Sequence, residues 1–488
     1  MLSLNGQGPL SLQLYRAIQN DIRSGALTRG DRLPSSRELA KTLNISRNVV
    51  VQCYEQLAAQ GYIESRQGAG SFVSGVGIHL VDHEDMTPRN PSECVVDEPR
   101  ISENAKSMLP MWAQYRLGFS DAQAHIIDFQ YGHVAVDYRL QQQLKLNLKS
   151  QWQGVQSTYQ HPAGMLALRR VIAKYLRQHR GVSCHEDQIL ITNGSQEGLS
   201  IVSQLLLNPG DRVLMEDPGY RGANQAFRSV RGIVDGLAVE DDGLIAEHLP
   251  EKPASPIRLL YTTPSHQFPT GGVMPLARRS HLAQWARRHS CFILEDDYDS
   301  EFRYQSAPIE SIQGLDPSGP IIYMGTFSKI ISPTLRLGFL VLPEALVEPA
   351  TAIKWTWNRH SPTVVQQMLA QYLDTAHFTR HLRRMNKRYH ERRTVLVEAL
   401  TQTLGDQVQV KGADAGIHLI AWLQLPIELE HKLIALSRTN GIAIHTVSSL
   451  YQTPPSKIGL LMGYANLSNT QIKQGVKILA KSIQSLSN

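Results

Sequence analysis

The fourteen residues GTFSKIISPTLRLG, numbers 325–338, decide how this chain is read. They follow the apolar run IIYMG (321–325), so Lys329 stands in a polar turn directly after a predicted buried strand, with Arg336 seven residues on. A lysine at such a place needs a partner, and condensing its amine with an aldehyde removes the charge. An arginine close by suits a phosphate, which it grips bidentately, and Ser328 adds a hydroxyl.

Outward from this point the same texture repeats. QILIT (188–192), RVLMED (212–217), RLLYTT (258–263) and CFILED (291–296) are short apolar runs alternating with helical patterns. That alternation predicts an α/β domain around a mostly parallel sheet, and such sheets bind ligands beyond the carboxyl ends of their strands. Acids crowd one such end, in FILEDDYDSEFRY (292–304). In QILITNGSQEGLSIVSQLL (188–206) a strand runs through Gly194, Ser195 and Gln196 into a helix, whose free N–H groups suit a phosphate. In MEDPGYRG (215–222), Tyr220 follows a third strand end and is placed to stack on a planar ring.

Together these match the needs of pyridoxal 5′-phosphate (PLP): an amine for its aldehyde, a carboxylate for its ring nitrogen, and N–H groups with an arginine for its phosphate. Lys329 is the amine, and Arg336, Ser328, Gly194, Ser195 and Gln196 form the phosphate set. Asp296 is assigned to the ring nitrogen and Tyr298 to the ring hydroxyl. Glu295 and Asp297 flank Asp296, and a one-residue change of strand register would substitute either.

The amino-terminal stretch has a different character. LSLQLYRAIQNDIRSG (10–25) sets Leu10, Leu14, Ile18 and Ile22 on one helical face. A second helix starts near Pro34-Ser35-Ser36, with Leu39 and Leu43 inward. After a turn at Asn44 and Ile45, Ser46 caps a third, which buries Val49, Val50 and Leu57 and leaves Arg47, Asn48 and Gln52 outward. Short helix, tight turn and polar-faced second helix is the arrangement that enters a major groove of double-stranded DNA. A hairpin around Gly68-Ala69-Gly70 follows as a wing, with Arg66 near its tip. The expected divisions are a winged helix-turn-helix over 1–76, a polar exposed linker over 77–110 and the PLP-type domain over 111–488. The last has a large lobe near 150–345 and a small one near 350–488.

Composition sets limits only. The net charge of +6 accommodates a nucleic-acid partner and equally an enzyme. No apolar run reaches eighteen residues, the start lacks a secretory pattern, and Cys53, Cys94, Cys184 and Cys291 show neither zinc nor disulfide spacing. A reducing, cytoplasmic setting without membrane contact is the expectation.

Two resemblances sharpen this reading. LPSSRELAKTLNISRNVVVQCYEQLAAQGYIESRQGAGSFV (33–73) resembles the GntR-type winged helix. STYQHPAGMLALRRVIAKYL, TNGSQEGL, EDPGY, TPSHQFPTG, EDDYDSEF and TFSK with Arg336 resemble fold-type I aminotransferases. Their fusion is similar to the MocR/GabR group of bacterial regulators. The resemblance implies phosphate or base contacts through Arg37 and Arg47, and Ser46, Asn48, Gln52, Arg66, Gly68 and Gly70 complete the DNA-facing set expected from the helix and hairpin pattern. It also implies an internal aldimine on Lys329 and a head-to-tail homodimer. The implied function is a PLP-dependent transcriptional regulator sensing PLP or an amino compound. An active aminotransferase with an appended DNA-binding module is the alternative, and a domain that only dimerises is the third reading. Two departures matter. Phe268 replaces the asparagine usual before PTG, leaving His266 as a substitute, and Leu461 in GLLMGYANL replaces the usual carboxylate-gripping arginine. Arg221 and Arg303 are candidate replacements for that arginine.

Overall fold

The structure, a computed structural model, describes residues 6, 8–66, 69–74, 101–116, 126–152, 158–304 and 309–487. The chain divides into two compact units, Met1–Arg100 and Ile101–Asn488.

The first unit is three helices and a hairpin: α1 (Leu10–Arg23), α2 (Ser36–Leu43), α3 (Arg47–Ala59), β1 (Ile63–Arg66) and β2 (Gly70–Val73). Leu14, Ile18 and Ile22 are buried as their spacing predicts, whereas Leu10, the first residue of α1, is 44% exposed. Ser35 caps α2 in a reciprocal box with Glu38, and Ser46 caps α3 by accepting from the Val49 amide. Asn44 makes the turn between them in the left-handed region at φ 50°. Val49, expected inside, is only half-buried. The inner face of α3 is instead Val50, Cys53, Tyr54 and Leu57, one turn apart, and Tyr54 donates its hydroxyl to Pro34 O at 2.8 Å. So small a unit has little core to spare. Leu57, fully buried in it, is therefore a sensitive position. Leu57→Ala should cost about 2–5 kcal/mol and abolish DNA binding while the circular dichroism of the larger unit persists.

The second unit opens with α4 (Glu103–Arg116). The stretch expected as linker thus splits: residues 75–100 lie outside the described residues, and Glu103–Pro110 form helix, continuing past Pro110. Next come β3 (Ile127–Asp128), α5 (Tyr138–Trp152), α6 (Leu166–His179), β4 (Ile189–Thr192), α7 (Ser195–Leu206), β5 (Arg212–Asp217), α8 (Arg221–Ser229), β6 (Ile233–Glu240), β7 (Gly243–Leu244) and β8 (Ile257–Thr262). Then follow α9 (Leu276–His289), β9 (Phe292–Asp297), α10 (Ile312–Leu315), β10 (Ile321–Thr326), β11 (Gly338–Val341), α11 (Glu344–Asn358), α12 (Thr363–Leu373) and α13 (Ala376–Leu404).

Eight strands form one sheet in the order β4-β11-β10-β9-β8-β5-β6-β7. From β10 to β6 neighbours run parallel; β11 is antiparallel to both β4 and β10. The five strands predicted from apolar runs all lie in this sheet. Their burial on both faces is why they read as continuous apolar runs. Three antiparallel strands, β12 (Val408–Lys411), β13 (His418–Pro426) and, after β14 (Ile442–Ala443), β15 (Lys457–Gly463), build the smaller lobe. β3 pairs with β14, so residues near 127 belong to that lobe although they precede the sheet in sequence. The lobe's helical layer includes α13, whose Asp137 clamp ties it to the chain ahead of α5: His381 Nδ1 and Arg384 Nη2 lie 2.8 and 2.5 Å from the Asp137 carboxylate. Against the cost of burial, these two partners hold that carboxyl down at about 2. No helix of the described residues is long and apolar enough to cross a membrane.

Candidate cofactor site and nucleic-acid face

At the carboxyl ends of β4, β5, β8, β9 and β10 lies a cavity of about 760 Å³. Gln130, Ser195, Gln196, Tyr220, Asp296, Tyr298, Ser328, Lys329, Arg336 and His418 are among its lining. The residues predicted from separate motifs, Gly194 beside them, therefore meet in one place.

Each wall has a local cause. β10 carries the chain inward to Thr326, whose hydroxyl bonds both the amide and the hydroxyl of Ser328, closing the turn that presents Lys329. Lys329 Nζ donates to Gly132 O at 3.0 Å, and a side chain at Gly132 would lie 2.6 Å from that nitrogen. Burial lowers the lysine's pKa, against the pull of Asp299 and Asp296. Gly194 caps α7 at φ 85° with no side chain over the first amides, so those donors remain open toward the cavity. A Cβ at Gly194 would lie 2.9 Å from Arg336 Nη2, whose guanidinium donates to Asn193 O at 3.1 Å. Arg336 thus stands over the helix start, making a pole of positive charge.

The acidic triplet sorts by partner. Glu295 accepts from the Ile312 and Gln313 amides, both at 3.0 Å, with Arg279 at 3.9 Å. Asp297 is tied by Arg180 and the Tyr323 hydroxyl. Asp296 alone of the three lines the cavity. Its Oδ2 accepts from Tyr261 at 2.7 Å, while Oδ1 is buried without a partner among the described residues. Burial raises its pKa to about 7, against the opposing Tyr261 bond. The sequence assigned Asp296 with its two neighbours as substitutes, because strand register is invisible there. Tyr261, the second hand on Asp296, was missed altogether, since nothing in its own strand distinguishes it.

Above the site sits an aromatic cluster. Phe268 meets Tyr220 and Tyr298 edge-on at 5.8 and 6.0 Å and tilts against Tyr131 at 5.1 Å. Leu461 is buried with Phe268, Ile420 and Val447. The place where an arginine would grip a carboxylate is therefore apolar. Arg221 lines the cavity wall on α8; Arg303 is not among the lining residues.

In the first unit, Arg37, Ser46, Arg47, Asn48, Gln52, Arg66 and Gly70 are all exposed, while Gly68 lies outside the described residues. Arg47 Nε reaches Ser36 Oγ at 3.4 Å, holding the start of α3 against α2. Arg66 folds back onto Glu64 and over the Phe72 ring at 4.8 Å, so its side chain lies along the wing hairpin. Arg32, which sequence reasoning passed over, bridges to Phe72 and backs Gly70, adding a cation to the wing.

Comparison with known proteins agrees with both halves. Residues 10–73 match the family of bacterial regulatory proteins named gntR, and residues 110–479 match aminotransferase class I and II. Among curated relatives, the uncharacterized HTH-type transcriptional regulator YdeL of Bacillus subtilis is 34% identical over 474 residues, covering 96% of each chain. The probable rhizopine catabolism regulatory protein MocR of Rhizobium meliloti is 33% identical, covering 100% of this chain and 96% of its own. Among solved structures, the α-aminoadipate aminotransferase LysN of Thermus thermophilus superposes with a TM-score of 0.70 at 25% identity, over 79% of this chain and 98% of its own. The chain belongs to the MocR-type transcriptional regulators, in which a GntR helix-turn-helix that binds DNA is fused to a class I/II aminotransferase domain.

Proposed function

We propose that this regulator holds PLP on Lys329 and that filling the site changes the DNA affinity of paired reader domains. The observation that carries it is Asp296 Oδ1, a buried carboxylate oxygen without a partner among the described residues, on a side chain that lines the same cavity as the Lys329 amine. An orphaned buried acceptor is costly, and a protonated ring nitrogen satisfies it. It also drives the carboxyl, raised to about 7 by burial, to its ionised form. The α7 start with Arg336 and Ser328 suits a phosphate dianion, so the donor set fits the group. When bound, PLP supplies an aldehyde that condenses with an amine. This chain's residues would orient it: Lys329 by its amine, Asp296 and Tyr298 at the ring, and Tyr220 and Phe268 as aromatic lining of the cavity.

The apolar ground around Leu461 supports PLP itself as the signal, or an amino compound that brings no α-carboxylate there. The same feature weighs against efficient turnover of ordinary amino acids. Exposed Leu109, Val136, Tyr138 and Leu146 support a homodimer through the larger unit, which would present two readers to two half-sites. The test is titration of promoter DNA with and without saturating PLP. A coupling of about 5- to 150-fold in affinity is expected. A visible cofactor band with unchanged affinity would assign the signal to an amino compound instead.

A further inference from the structure

Behind the Phe268 wall lies a polar pair that the site described above does not use. His266 and Asp299 are 1% and 0% exposed. The imidazole Nδ1 is 3.0 and 3.1 Å from the two Asp299 oxygens and 2.9 Å from the Tyr298 hydroxyl oxygen. Gly416 leaves the room for this packing: a Cβ there would lie 2.1 Å from His266 Cε1 and 2.5 Å from Asp299 Oδ2.

Proton placement follows from who has a partner. The Asp299 carboxylate has His266 as its side-chain hydrogen-bond partner among the described residues, and a buried carboxylate needs a donor. The other imidazole nitrogen, Nε2, is buried without any partner among the described residues. A proton on Nε2 would be a stranded donor; a proton on Nδ1 serves Asp299 and reaches the Tyr298 oxygen as well. Tyr298 then receives a hydrogen bond from His266 and cannot donate to it, so its own hydrogen is left for the cavity. Burial, then Asp299, holds the Tyr298 phenol well above its ordinary pKa, so the hydrogen is there to give.

We infer that the buried Asp299–His266 pair is a positioning device that turns the Tyr298 hydrogen into the cavity, making Tyr298 an obligate donor to an anionic oxygen on the bound ring. This rests on the cofactor reading above and deepens it. It also explains how the site functions with Phe268 in a position that carries no polar group. Several ionisable groups face the pair. His418 on β13 is tilted against His266 at 5.0 Å and kept neutral by burial; Asp296, Asp297 and Glu216 lie at the strand ends; Lys329 faces from the turn after β10; Arg303 is the cation that acts on Asp299 from the end of the acidic loop; Tyr304 and Tyr464 lie beyond Asp299. None of these is hydrogen-bonded to His266.

Two measurements test it. In the protein without cofactor, ¹⁵N NMR of labelled histidines, with His266 assigned by its loss in His266→Gln, should show protonation at Nδ1. Asp299→Asn should release that preference. A proton on Nε2 would overturn the inference whether or not PLP binds. In the PLP-loaded protein, a donor at the ring oxygen favours its anion, so removing the donor should raise the pH midpoint of the visible band. The expected rise is about one to two units in His266→Phe and in Tyr298→Phe, with no further rise in the double variant. His266→Gln, which keeps a donor nitrogen, should restore most of the shift. If Tyr298→Phe moves the midpoint and His266→Phe, folded by circular dichroism, does not, the pair is only structural. Absence of any band in the wild type would sink the cofactor reading alone, leaving the NMR result to decide this one.

Discussion

Lys329→Ala should leave a folded, DNA-binding protein without the visible cofactor band and without any response of DNA affinity to PLP. The side chain is half-buried, and its hydrogen bond among the described residues is to Gly132 O, so the alanine removes little packing and stability should change modestly. The non-covalent cradle survives: the α7 start, Arg336, and Asp296 with its Tyr261 partner. PLP should therefore still bind, but weakened by about 100-fold or more, corresponding to ~3 kcal/mol for the lost directed bond. The informative number is the ratio of DNA affinities with and without PLP at concentrations that fill the variant. A ratio of one places the switch in the bond to Lys329. A ratio equal to wild type would mean that occupancy alone, not attachment, moves the readers.

Arg47→Ala is the second large effect. It stands at the exposed start of α3, where a groove-bound helix meets base edges and phosphates, and its partner among the described residues is Ser36 Oγ at 3.4 Å. Loss of one such contact costs about 1–3 kcal/mol. In a dimer the loss occurs twice, so affinity should fall by roughly 30-fold to 10⁴-fold. Salt separates the two roles. If Arg47 holds phosphate, the slope of log affinity against log salt should flatten by about two, and all sequences should weaken alike. If it reads a base, the slope changes little and discrimination at one position per half-site relaxes. Retention of full affinity would remove Arg47 from the interface and shift attention to Arg37 and Asn48.

The sequence was most legible where function forces residue types into short order. TFSK with Arg336, the NGS turn and the acidic end of β9 each state a chemical need within a few residues, and the cavity gathers all three. Strands buried on both faces were equally plain. The antiparallel β11 was not, because GFLV is only four residues and its partners are β10, just upstream, and β4, almost 150 residues earlier. Long-range partners also explain the other omissions. Tyr261 on Asp296, Asp299 on His266 and Gly132 under Lys329 are close in space but separated by 35, 33 and 197 residues. In the reader, the helical period placed α1 and α3 correctly but not Leu10 or Val49, since periodicity gives a face and not where the neighbouring helix begins to cover it.

The pairing of β3 with β14 has a consequence for the protein while it is being made. The reader is finished within the first 73 residues, whereas Ile127 must wait for Ile442 before the smaller lobe can close behind the cavity. At about 5–20 residues per second, some 370 further residues take roughly 20–70 s to synthesise. For that interval each nascent chain exposes a completed helix-turn-helix with no finished aminotransferase-type domain attached to it. If the larger domain governs the reader as proposed, newly translated copies are ungoverned for a time fixed by the topology of the sheet. A stalled or truncated message would yield an N-terminal fragment that keeps the helix-turn-helix and lacks Lys329 and the cavity around it.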